Sequence, residues 1–507
     1  MADSRQSPAT EPLILALDQG TTSTRAILFD KAGHALGEAS RPLAQHYPAD
    51  GWVEHDAEEI FRASVDVLRE AVSGAGRQMS EVAAIGITNQ RETVVIWDKA
   101  TGAPIHRAIV WQDRRTAQAC QALKDAGAEA EVTKITGLLI DPYFSGTKIA
   151  WLLDHVPGAR ARAEAGELLA GTMDCWLIWK LTGGAVHATD ATNASRTLLF
   201  DLRGQAWSRP MLDLLKVPQA LLPEVRDCAG DFGETAPEFL GRAVPIRGVA
   251  GDQQAALMGQ GCVRPGEMKA TYGTGCFLLV NTGEFAPVSQ ARLLTTVAAR
   301  VQGRTTYALE GAIFIAGAAI QWLVEGLKVG SPAEAEALAR QARADSGVVM
   351  VPAFTGLGAP WWDAQARGAI VGLTRDAGLA EISLAAFDAC ALQTADLIEA
   401  MRADAPQAFQ AGSELRIDGG MARSAWFAQR LADLTGQAVA RARYEETTAL
   451  GAALFAGLGA GLYPSLEAAA AARPQTDPSA PQSSAPARQA ARTRWRAAVA
   501  RVSSGAA

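Results

Sequence analysis

The chain has 507 residues, of which 49% are hydrophobic and 20% charged, and its formal net charge is −7. This length exceeds what one hydrophobic core holds, so we expect two domains of roughly 250 residues each. The acidic balance disfavours a nucleic-acid-binding protein, because such proteins need a basic excess to neutralise phosphates.

Three further features bear on the class of protein. The six cysteines are scattered and form no C-x-x-C pair, so we expect neither a disulfide framework nor a zinc site, and a reducing cytoplasm fits best. The first residues, MADSRQSPATEP, lack the apolar core of a signal peptide. The longest uncharged run, 447–466, contains glycines and a proline, and we interpret it as a buried helix with small residues at a close helix contact rather than as a membrane span.

Hydrophobic patterns predict the elements in chain order. In the first half they indicate strands at 13–17 and 25–29 around a polar turn, a helix at 58–73, strands at 82–90 and 93–98, a helix at 167–183, and strand, turn and helix over 246–261. In the second half they indicate strand, turn and strand over 268–281, a buried helix at 309–327, strand, turn and helix over 414–436, a flexible linker at 473–488 and a terminal amphipathic helix at 489–501. Because polar or glycine-rich turns follow strands in both halves, we expect a ligand in a cleft between two domains.

The turn after the first strand has the chemistry of a phosphate site. Gly20 permits close approach of the backbone, Thr21 offers a hydroxyl, Arg25 offers positive charge, and Asp18 could anchor Mg²⁺. No lysine follows a glycine and no G-x-G-x-x-G run occurs, so the familiar nucleotide loops are absent. On its own, the turn is equally compatible with a hairpin whose hydroxyls face solvent.

Long sequence runs occur in a characteristic order: LALDQGTTSTRA, YPADGWVEHD, AAIGITNQRET, AIVWQDRRTA, GLLIDPYFSGTK, TNASRTLLF, GVAGDQQAALMGQG, TYGTGCF, ALEGAIFIAGAAIQWL, VPAFTGLGAPWWDAQARGAIVGLTR and IDGG. Together they span roughly residues 13 to 460. In these runs and their order, the chain resembles the FGGY carbohydrate kinase family. The resemblance implies an α/β fold with two ribonuclease-H-like or actin-like ATPase domains and an active-site cleft between them. The expected boundaries are 13–255 for the N-terminal domain, 256–470 for the C-terminal domain and 471–507 for a tail.

The resemblance also implies an activity. We expect ATP-dependent phosphorylation of glycerol to sn-glycerol 3-phosphate, with ATP and Mg²⁺ as cofactors, by in-line transfer of the phosphoryl group. The implied protein is cytoplasmic, forms a homodimer or homotetramer, and has neither a nucleic-acid partner nor a membrane span.

The residues that match the family's motifs fall into four groups. Asp252 is the expected general base, since no histidine lies beyond His187 and a carboxylate is the available proton acceptor; a helix N-cap is the structural alternative for Asp252, and the two roles are compatible. Asp18 is the expected metal residue, through water. The expected nucleotide-binding residues are Thr21, Thr22, Ser23, Arg25, Thr274, Gly317, Gln321, Gly420 and Ser424. The expected substrate-binding residues are Arg91, Glu92, Trp111, Tyr143, Asp252, Gln253 and Phe277.

Without the resemblance, the pair Arg91–Glu92 would be interpreted as a solvated surface pair and the aromatic residues as ordinary core. Other substrates of the family, xylulose or gluconate, stay open as alternatives, although Trp111 stands where a larger sugar would need room. A non-catalytic sensor on the same fold is a third possibility. The presence of both Asp18 and Asp252 argues against it.

The chain departs from the family pattern in two places, and one form of control known in the family is also not expected. Ser424 stands where many relatives carry asparagine, and its shorter side chain weakens the expected contact with adenine. Ala243 stands where relatives inhibited by fructose bisphosphate carry arginine, in a shortened loop at 236–248, so we expect little inhibition by this compound. No histidine lies between 188 and 507, so the control by histidine phosphorylation known in some relatives is not expected.

Overall fold

The computed structural model describes residues 11–343, 346–409, 413–473 and 478–503. The strands are β1 Leu13–Gln19, β2 Ser23–Phe29, β3 Ala35–Pro42, β4 Glu54–His55, β5 Val82–Asn89, β6 Val94–Asp98, β7 Ala108–Ile109, β8 Leu168–Thr172, β9 Ala188–Asp190, β10 Phe200–Asp201, β11 Ala206–Trp207, β12 Glu224–Arg226, β13 Ile246–Gly251, β14 Met268–Tyr272, β15 Cys276–Gly283, β16 Leu294–Val301, β17 Arg304–Ile313, β18 Val349–Val351, β19 Ala369–Val371, β20 Glu414–Asp418 and β21 Ala438–Arg441.

The α-helices are α1 Ala57–Gly74, α2 Ala117–Asp125, α3 Glu129–Thr136, α4 Ser145–His155, α5 Ala159–Glu164, α6 Met173–Leu181, α7 Ala191–Ala194, α8 Arg209–Leu215, α9 Pro237–Leu240, α10 Asp252–Gly259, α11 Gly317–Gly326, α12 Pro332–Ala339, α13 Leu379–Asp404, α14 Ala425–Thr435, α15 Thr447–Gly459, α16 Leu466–Ala471 and α17 Ala485–Val502. Short 3₁₀ turns occur at Met79–Glu81, Gln219–Leu221, Pro406–Ala408 and Gly420–Arg423.

The chain divides into two compact units. The first runs through Val263 and adds Thr296–Tyr307 and the segment that begins at Glu446. The second consists of Arg264–Thr295, Ala308–Glu445 and the C-terminal segment that carries α17. The expected boundary at residue 470 therefore differs from the compact units, because α15 is apolar on all sides and buries itself against β1, β5 and β13 of the first unit.

The first unit contains a five-stranded mixed sheet in the order β13-β5-β1-β2-β3. β5 runs parallel to both β1 and β13, and β2 runs antiparallel to β1 and β3. β1, with the sequence LILALDQ, is buried except at Asp18, as expected of a central strand covered on both faces. The parallel arrangement brings the carboxyl ends of β1, β5 and β13 to the same edge of the sheet.

A six-stranded sheet has the order β16-β17-β15-β14-β20-β21, and its strands β14, β15, β20 and β21 belong to the second unit. In this sheet β20 runs parallel to both β14 and β21. The long helix α13 lies in the core of the second unit. The C-terminal helix α17 docks through Trp495, whose indole N–H donates to Asp396 at 2.6 Å. Burial raises the pKa of Asp396 to about 6, and the bond from Trp495 opposes this rise.

Most of the predicted elements are confirmed. The hairpin at the start, the strands ending at Asn89 and Asp98, the helix of 58–73 and the strand, turn and helix patterns around residues 251 and 419 all occur. The terminal helix is confirmed and begins earlier than expected, at Ala485. Residues 474–477 of the expected linker lie outside the described residues, and Ser479 pairs with Val439.

Two predicted helices are wrong over their first halves. The segment 167–183 begins with strand β8, which pairs antiparallel with β6, and only then forms α6. The segment 309–327 begins within strand β17 and turns into α11 at Gly317. In both cases a short apolar run joins a buried strand, and hydrophobic periodicity alone does not separate such a strand from a buried helix.

The prediction of a close helix contact in 447–466 is confirmed. A Cβ added at Gly451 of α15 would lie 1.7 Å from the carbonyl oxygen of Ala255 in α10, and one at Gly259 would lie 1.9 Å from the carbonyl oxygen of Thr447. Helices approach this closely only where side chains are absent. Within the described residues, no helix is long and apolar enough to span a membrane.

Replacing Gly451 by alanine tests this contact. We expect Gly451→Ala to lower the free energy of unfolding by about 3 kcal/mol, because the added methyl group forces α15 away from α10. The matched control is Gly74→Ala, a helical glycine of α1 whose added Cβ meets nothing within 4 Å. The control should leave the stability unchanged or raise it by up to about 1 kcal/mol, and equal urea midpoints for the two variants would contradict the close contact.

Candidate functional site

The hairpin turn between β1 and β2 places the residues expected to bind phosphate. Asp18 faces Arg25 across the hairpin, and the N–H of Gly20 donates to the carbonyl oxygen of Ser23 at 2.9 Å. Arg25 forms an ion pair with Glu446, just before α15. The turn is thus tight and held at its base, and Thr22 stands exposed at its tip.

Thr21 links this turn to the expected substrate site. Its hydroxyl oxygen accepts a hydrogen bond from the indole N–H of Trp111 at 2.9 Å. A threonine hydroxyl carries one donor and two acceptor positions, so the Thr21 O–H can still donate to a phosphate oxygen. The indole of Trp111 packs edge-on against the ring of Tyr143, with the ring centroids 5.5 Å apart.

The surroundings of Asp18 fit a hydrated divalent cation. Burial raises the pKa of Asp18 to about 7, and the nearby carboxylates of Asp252 and Glu446 add to the rise, while Arg25 opposes it. Among the described residues no three histidine, cysteine or carboxylate side chains form a ready-made metal cage. Mg²⁺ normally keeps several waters and binds through one or two carboxylates together with substrate phosphates, so this donor set suits it.

Arg91 and Glu92 are buried, not solvated. They follow β5, and their side chains are only 2% and 1% exposed. The guanidinium of Arg91 donates to Gln254 at 3.3 Å and to the hydroxyl of Tyr143 at 3.4 Å, and its Nε lies 3.0 Å from Oδ1 of Asp252. Arg91 and Glu92 are therefore not a solvated surface pair, which is how such a pair is ordinarily interpreted.

Sequence reasoning missed two cations behind this pair. Arg196 is fully buried, and its Nε donates to Oε1 of Glu92 at 2.7 Å. Lys148 is also buried and donates to the carbonyl oxygen of Tyr143 at 2.7 Å; burial lowers the pKa of Lys148 to about 7, and Glu92 opposes the shift. The signal was present, since both lie in sequence runs that match the family, but no role was assigned to them.

Asp252 is the first residue of α10, immediately after β13. The N-cap residue is Gly251 rather than Asp252, so the alternative role of Asp252 as N-cap is wrong. Its Oδ1 accepts from the backbone N–H of Gln253 at 2.6 Å and its side chain is 33% exposed. A carboxylate in the first turn is stabilised as an anion by the helix N-terminus, and this one reaches solvent.

In the second unit, the Gly-Thr-Gly turn joins β14 to β15 and receives the start of α11. The carbonyl oxygen of Thr274 accepts hydrogen bonds from the backbone N–H groups of Ala316 and Ala318, each at 3.0 Å. The carbonyl oxygen of Gly273 accepts one from the backbone N–H of Gly317, also at 3.0 Å. A Cβ at Gly317 would lie 2.5 Å from the carbonyl oxygen of Gly273, so only glycine allows this approach. Thr274 itself is exposed.

The double glycine after β20 lies beside this turn, because β14 and β20 are parallel and Thr271 pairs with Asp418. Gly419 has φ +86° and approaches Tyr272 so closely that a Cβ would lie 2.4 Å from its carbonyl oxygen. Gly420 is exposed and opens a 3₁₀ turn. Thr274, Gly317 and Gly420 therefore come to one edge of the sheet in the second unit.

A cavity of about 450 Å³ opens next to Gly419. It is lined by Asp418, Gly419, Ala422, Arg423, Arg441, Ala442, Arg443 and Glu445. Ser424, which follows Arg423 in the chain, is the N-cap residue of α14. Its hydroxyl oxygen accepts a hydrogen bond from the backbone N–H of Phe427 at 2.9 Å. The arginines of this cavity were not identified from the sequence.

Three further predicted residues, Gln321, Phe277 and Gln253, are exposed or half-buried. Gln321 is exposed one turn into α11 and donates to Glu325 at 2.7 Å. Phe277 is half-buried on β15 of the second unit, and Gln253 is half-buried on α10 of the first unit. Their binding roles, like those of the other site residues, stay predictions.

Comparison with known proteins defines the class. Residues 13–259 match the N-terminal domain, and residues 268–460 the C-terminal domain, of the FGGY family of carbohydrate kinases. The chain belongs to this family, and the predicted two-domain α/β fold of the actin-like ATPase class is confirmed.

Its relatives narrow the comparison further. The glycerol kinase of Alcanivorax borkumensis is 57% identical over 492 residues, which cover 97% of this chain and 98% of that protein. The glycerol kinase of Methylobacterium nodulans is 59% identical over 458 residues, or 90% of this chain and 91% of that protein. The crystal structure of Plasmodium falciparum glycerol kinase with ADP matches with a TM-score of 0.92 at 33% identity, covering 97% of this chain and 98% of that one.

A buried histidine contacts the turn between β1 and β2 through Gln90. The amide of Gln90 donates to the carbonyl oxygen of Gly20 at 3.3 Å and to Nδ1 of His55 at 3.2 Å. His55 is 1% exposed, and its Nε2 finds no hydrogen-bond partner among the described residues. Burial lowers the pKa of His55 to about 4, and His46 adds to this effect.

The histidine predicts acid sensitivity with a defined sign. Between about pH 6.5 and about pH 4 the unfolded chain binds a proton at His55 that the folded protein does not, so stability falls as the pH falls through this window. Between about pH 7.5 and about pH 5, His55 should account for about 2 kcal/mol of lost unfolding free energy.

Urea unfolding at the two pH values measures this loss. His55→Phe should show a flatter pH dependence than the unsubstituted protein by that amount, whereas His34→Gln, at an exposed histidine, should not. A pH dependence that His55→Phe leaves unchanged would show that His55 titrates normally in the folded protein.

Proposed function

We propose that this protein phosphorylates glycerol with ATP, giving sn-glycerol 3-phosphate and ADP. The observation that carries the proposal is the solvent-reaching carboxylate of Asp252, held 3.0 Å from the buried guanidinium of Arg91 at the end of β13. Membership of the FGGY family and the similarity to glycerol kinases support the choice of reaction and substrate. Glycerol is small enough for a site walled by Trp111 and Tyr143.

The first unit binds and orients the triol. Arg91 supplies donors, and Glu92 supplies an acceptor whose charge Arg196 balances from behind at 2.7 Å. A site whose polar groups are fixed in this way discriminates against ligands that leave one of them unpaired. Trp111 confines the carbon chain and is itself fixed by its bond to Thr21.

Asp252 accepts the proton of the terminal hydroxyl as the phosphoryl group is transferred. Arg91 holds the carboxylate in position, and the side chain lies at the N-terminus of α10, where the helix dipole favours negative charge. Kinases of this kind gain most of their rate from positioning and charge stabilisation, so the oriented carboxylate matters more than its basicity.

The phosphates of ATP are assigned to the hydroxyls and backbone N–H groups of the turn at Thr21, Thr22 and Ser23, with Arg25 nearby. Asp18 would hold Mg²⁺ through water, and the ion, when bound, neutralises charge on the phosphates. In the second unit, Thr274, Gly317 and Gly420 provide the glycine-lined edge for the nucleotide, and Gln321 and Ser424 stay weaker candidates.

A coupled assay of ADP release tests the function. Purified protein with ATP and Mg²⁺ is compared in the presence of glycerol, xylulose, gluconate and no acceptor. We expect turnover that depends on glycerol and exceeds that with either sugar. Faster turnover with xylulose or gluconate would identify that compound, and not glycerol, as the substrate. No acceptor-dependent turnover at all would indicate a non-catalytic protein.

Asp252→Asn tests the assigned base. The amide keeps the size of the side chain but cannot take the proton, so kcat should fall about 10²- to 10⁴-fold while glycerol still protects against thermal unfolding. Asp213→Asn is the matched control, because Asp213 is an exposed partner of Arg209 in the same unit. Near-normal turnover by Asp252→Asn would remove Asp252 from this role.

The family also suggests regulation and assembly, which we propose as follows. The protein acts in the cytoplasm as a homodimer or homotetramer, which sedimentation would measure, and fructose bisphosphate does not control it. In the described loop, Ala243 follows Arg242, whose Nε donates to the Ala243 carbonyl oxygen at 3.1 Å. Titration with millimolar fructose bisphosphate should change the rate by less than about twofold, and strong inhibition would refute this expectation.

A further inference from the structure

The sequence run TNASRTLLF matches the family, yet no role was assigned to it. In the structure, its first residues form the short helix α7 after β9, and Asp190, Thr192 and Asn193 are all fully buried there. These residues lie beside the paired ends of β5 and β13, the two strands that precede Arg91 and Asp252. The run therefore occupies the place from which both strand ends can be held.

Thr192 contacts the end of β13 directly. The backbone N–H of Gly251, the residue before Asp252, donates to the hydroxyl oxygen of Thr192 at 2.9 Å. The same hydroxyl donates to Oδ2 of Asp190 at 2.6 Å. Since a hydroxyl has one proton, the donation to Asp190 orients its lone pairs toward Gly251.

Asn193 contacts the end of β5 in the same way. Its side-chain amide and that of Asn89, the last residue of β5, exchange two hydrogen bonds of 3.0 Å each. Its Nδ2 also donates to Oδ1 of Asp190 at 2.8 Å. One buried carboxylate, that of Asp190, thus orients both the hydroxyl that binds the peptide before Asp252 and the amide that binds the end of β5.

We infer that Thr192 is a positioning residue that sets the location of the Asp252 carboxylate through the Gly251 N–H, with Asp190 as the group that orients it. This inference rests on the proposed function, in which Asp252 is the base. A displacement of the base by a fraction of an ångström is costly to kcat, because proton transfer depends on its position, but it affects binding of the triol little. Thr192 does not touch the substrate in this scheme.

Three variants test the inference. Thr192→Val removes the hydroxyl at nearly constant volume, and we expect kcat to fall about 10- to 100-fold with a KM for glycerol within about threefold of the original value. Thr192→Ser keeps the hydroxyl and should restore kcat to within about threefold. Thr136→Val is the matched control, because the buried Thr136 hydroxyl likewise donates to a backbone carbonyl, that of Val132, and accepts a backbone N–H, that of Leu138.

The control separates positioning from loss of stability. Thr136→Val should lower the melting temperature as Thr192→Val does but leave kcat unchanged. An unchanged kcat in Thr192→Val, an equal loss in Thr136→Val, or no recovery in Thr192→Ser would each overturn the inference. If the valine variant does not fold, Thr192→Ala is measured in its place with the same expected outcomes.

A measurement that does not depend on activity keeps the inference separate from the proposed function. Hydrogen exchange at the Gly251 amide should accelerate at least about tenfold in Thr192→Val, and not in Thr192→Ser or Thr136→Val. Absence of kinase activity in the unsubstituted protein would count against the proposed function, whereas unchanged exchange at Gly251 in Thr192→Val would count against the positioning role.

Discussion

The site in the first unit depends on a buried arginine. Arg91 is 2% exposed, and a guanidinium removed from water is stable only when it is paired and hydrogen-bonded. Its carboxylate partner at 3.0 Å is Asp252, so the end of β13 must come close to the end of β5. Gly251 makes this possible, since a Cβ there would lie 2.7 Å from Cδ of Arg91. The position of Arg91 therefore requires glycine immediately before Asp252.

The charges around Arg91 are balanced in a way that sets Asp252 apart from its neighbours. Arg91 and Arg196 face the carboxylates of Glu92 and Asp252. Three of these four side chains are at most 2% exposed, and only that of Asp252, at 33%, reaches solvent. Burial thus fixes three of the groups as a charged frame and leaves one carboxylate accessible. Removing one member of the frame would leave its partner buried and unpaired, which costs far more than the pair itself contributes.

The sequence suggested roles for residues at strand ends but none for the buried residues that contact them. Asp18, Arg91 and Asp252 were assigned through the resemblance to the family, and each lies at or shortly after the end of an apolar strand. Arg196 and Lys148 were not, because a cation within a mixed run carries no local signal of burial, and only the fold shows that each is enclosed. The same limit explains the two wrong helices, where pairing with a neighbouring strand decided between strand and helix.

The domain boundary shows the same dependence on long-range contacts. If each domain were one continuous segment, α15 would belong to the second domain. The small residues of α15 instead let this helix pack against α10 and the sheet of the first unit. Glu446, directly before this helix, forms the ion pair with Arg25 of β2, close to the turn that carries Thr21. One late segment therefore supports both the helix that carries Asp252 and the turn that carries Thr21. Because the packing leaves no room for a methyl group at Gly451, the position of α15, and with it the contacts to α10 and to Arg25, depends on this glycine.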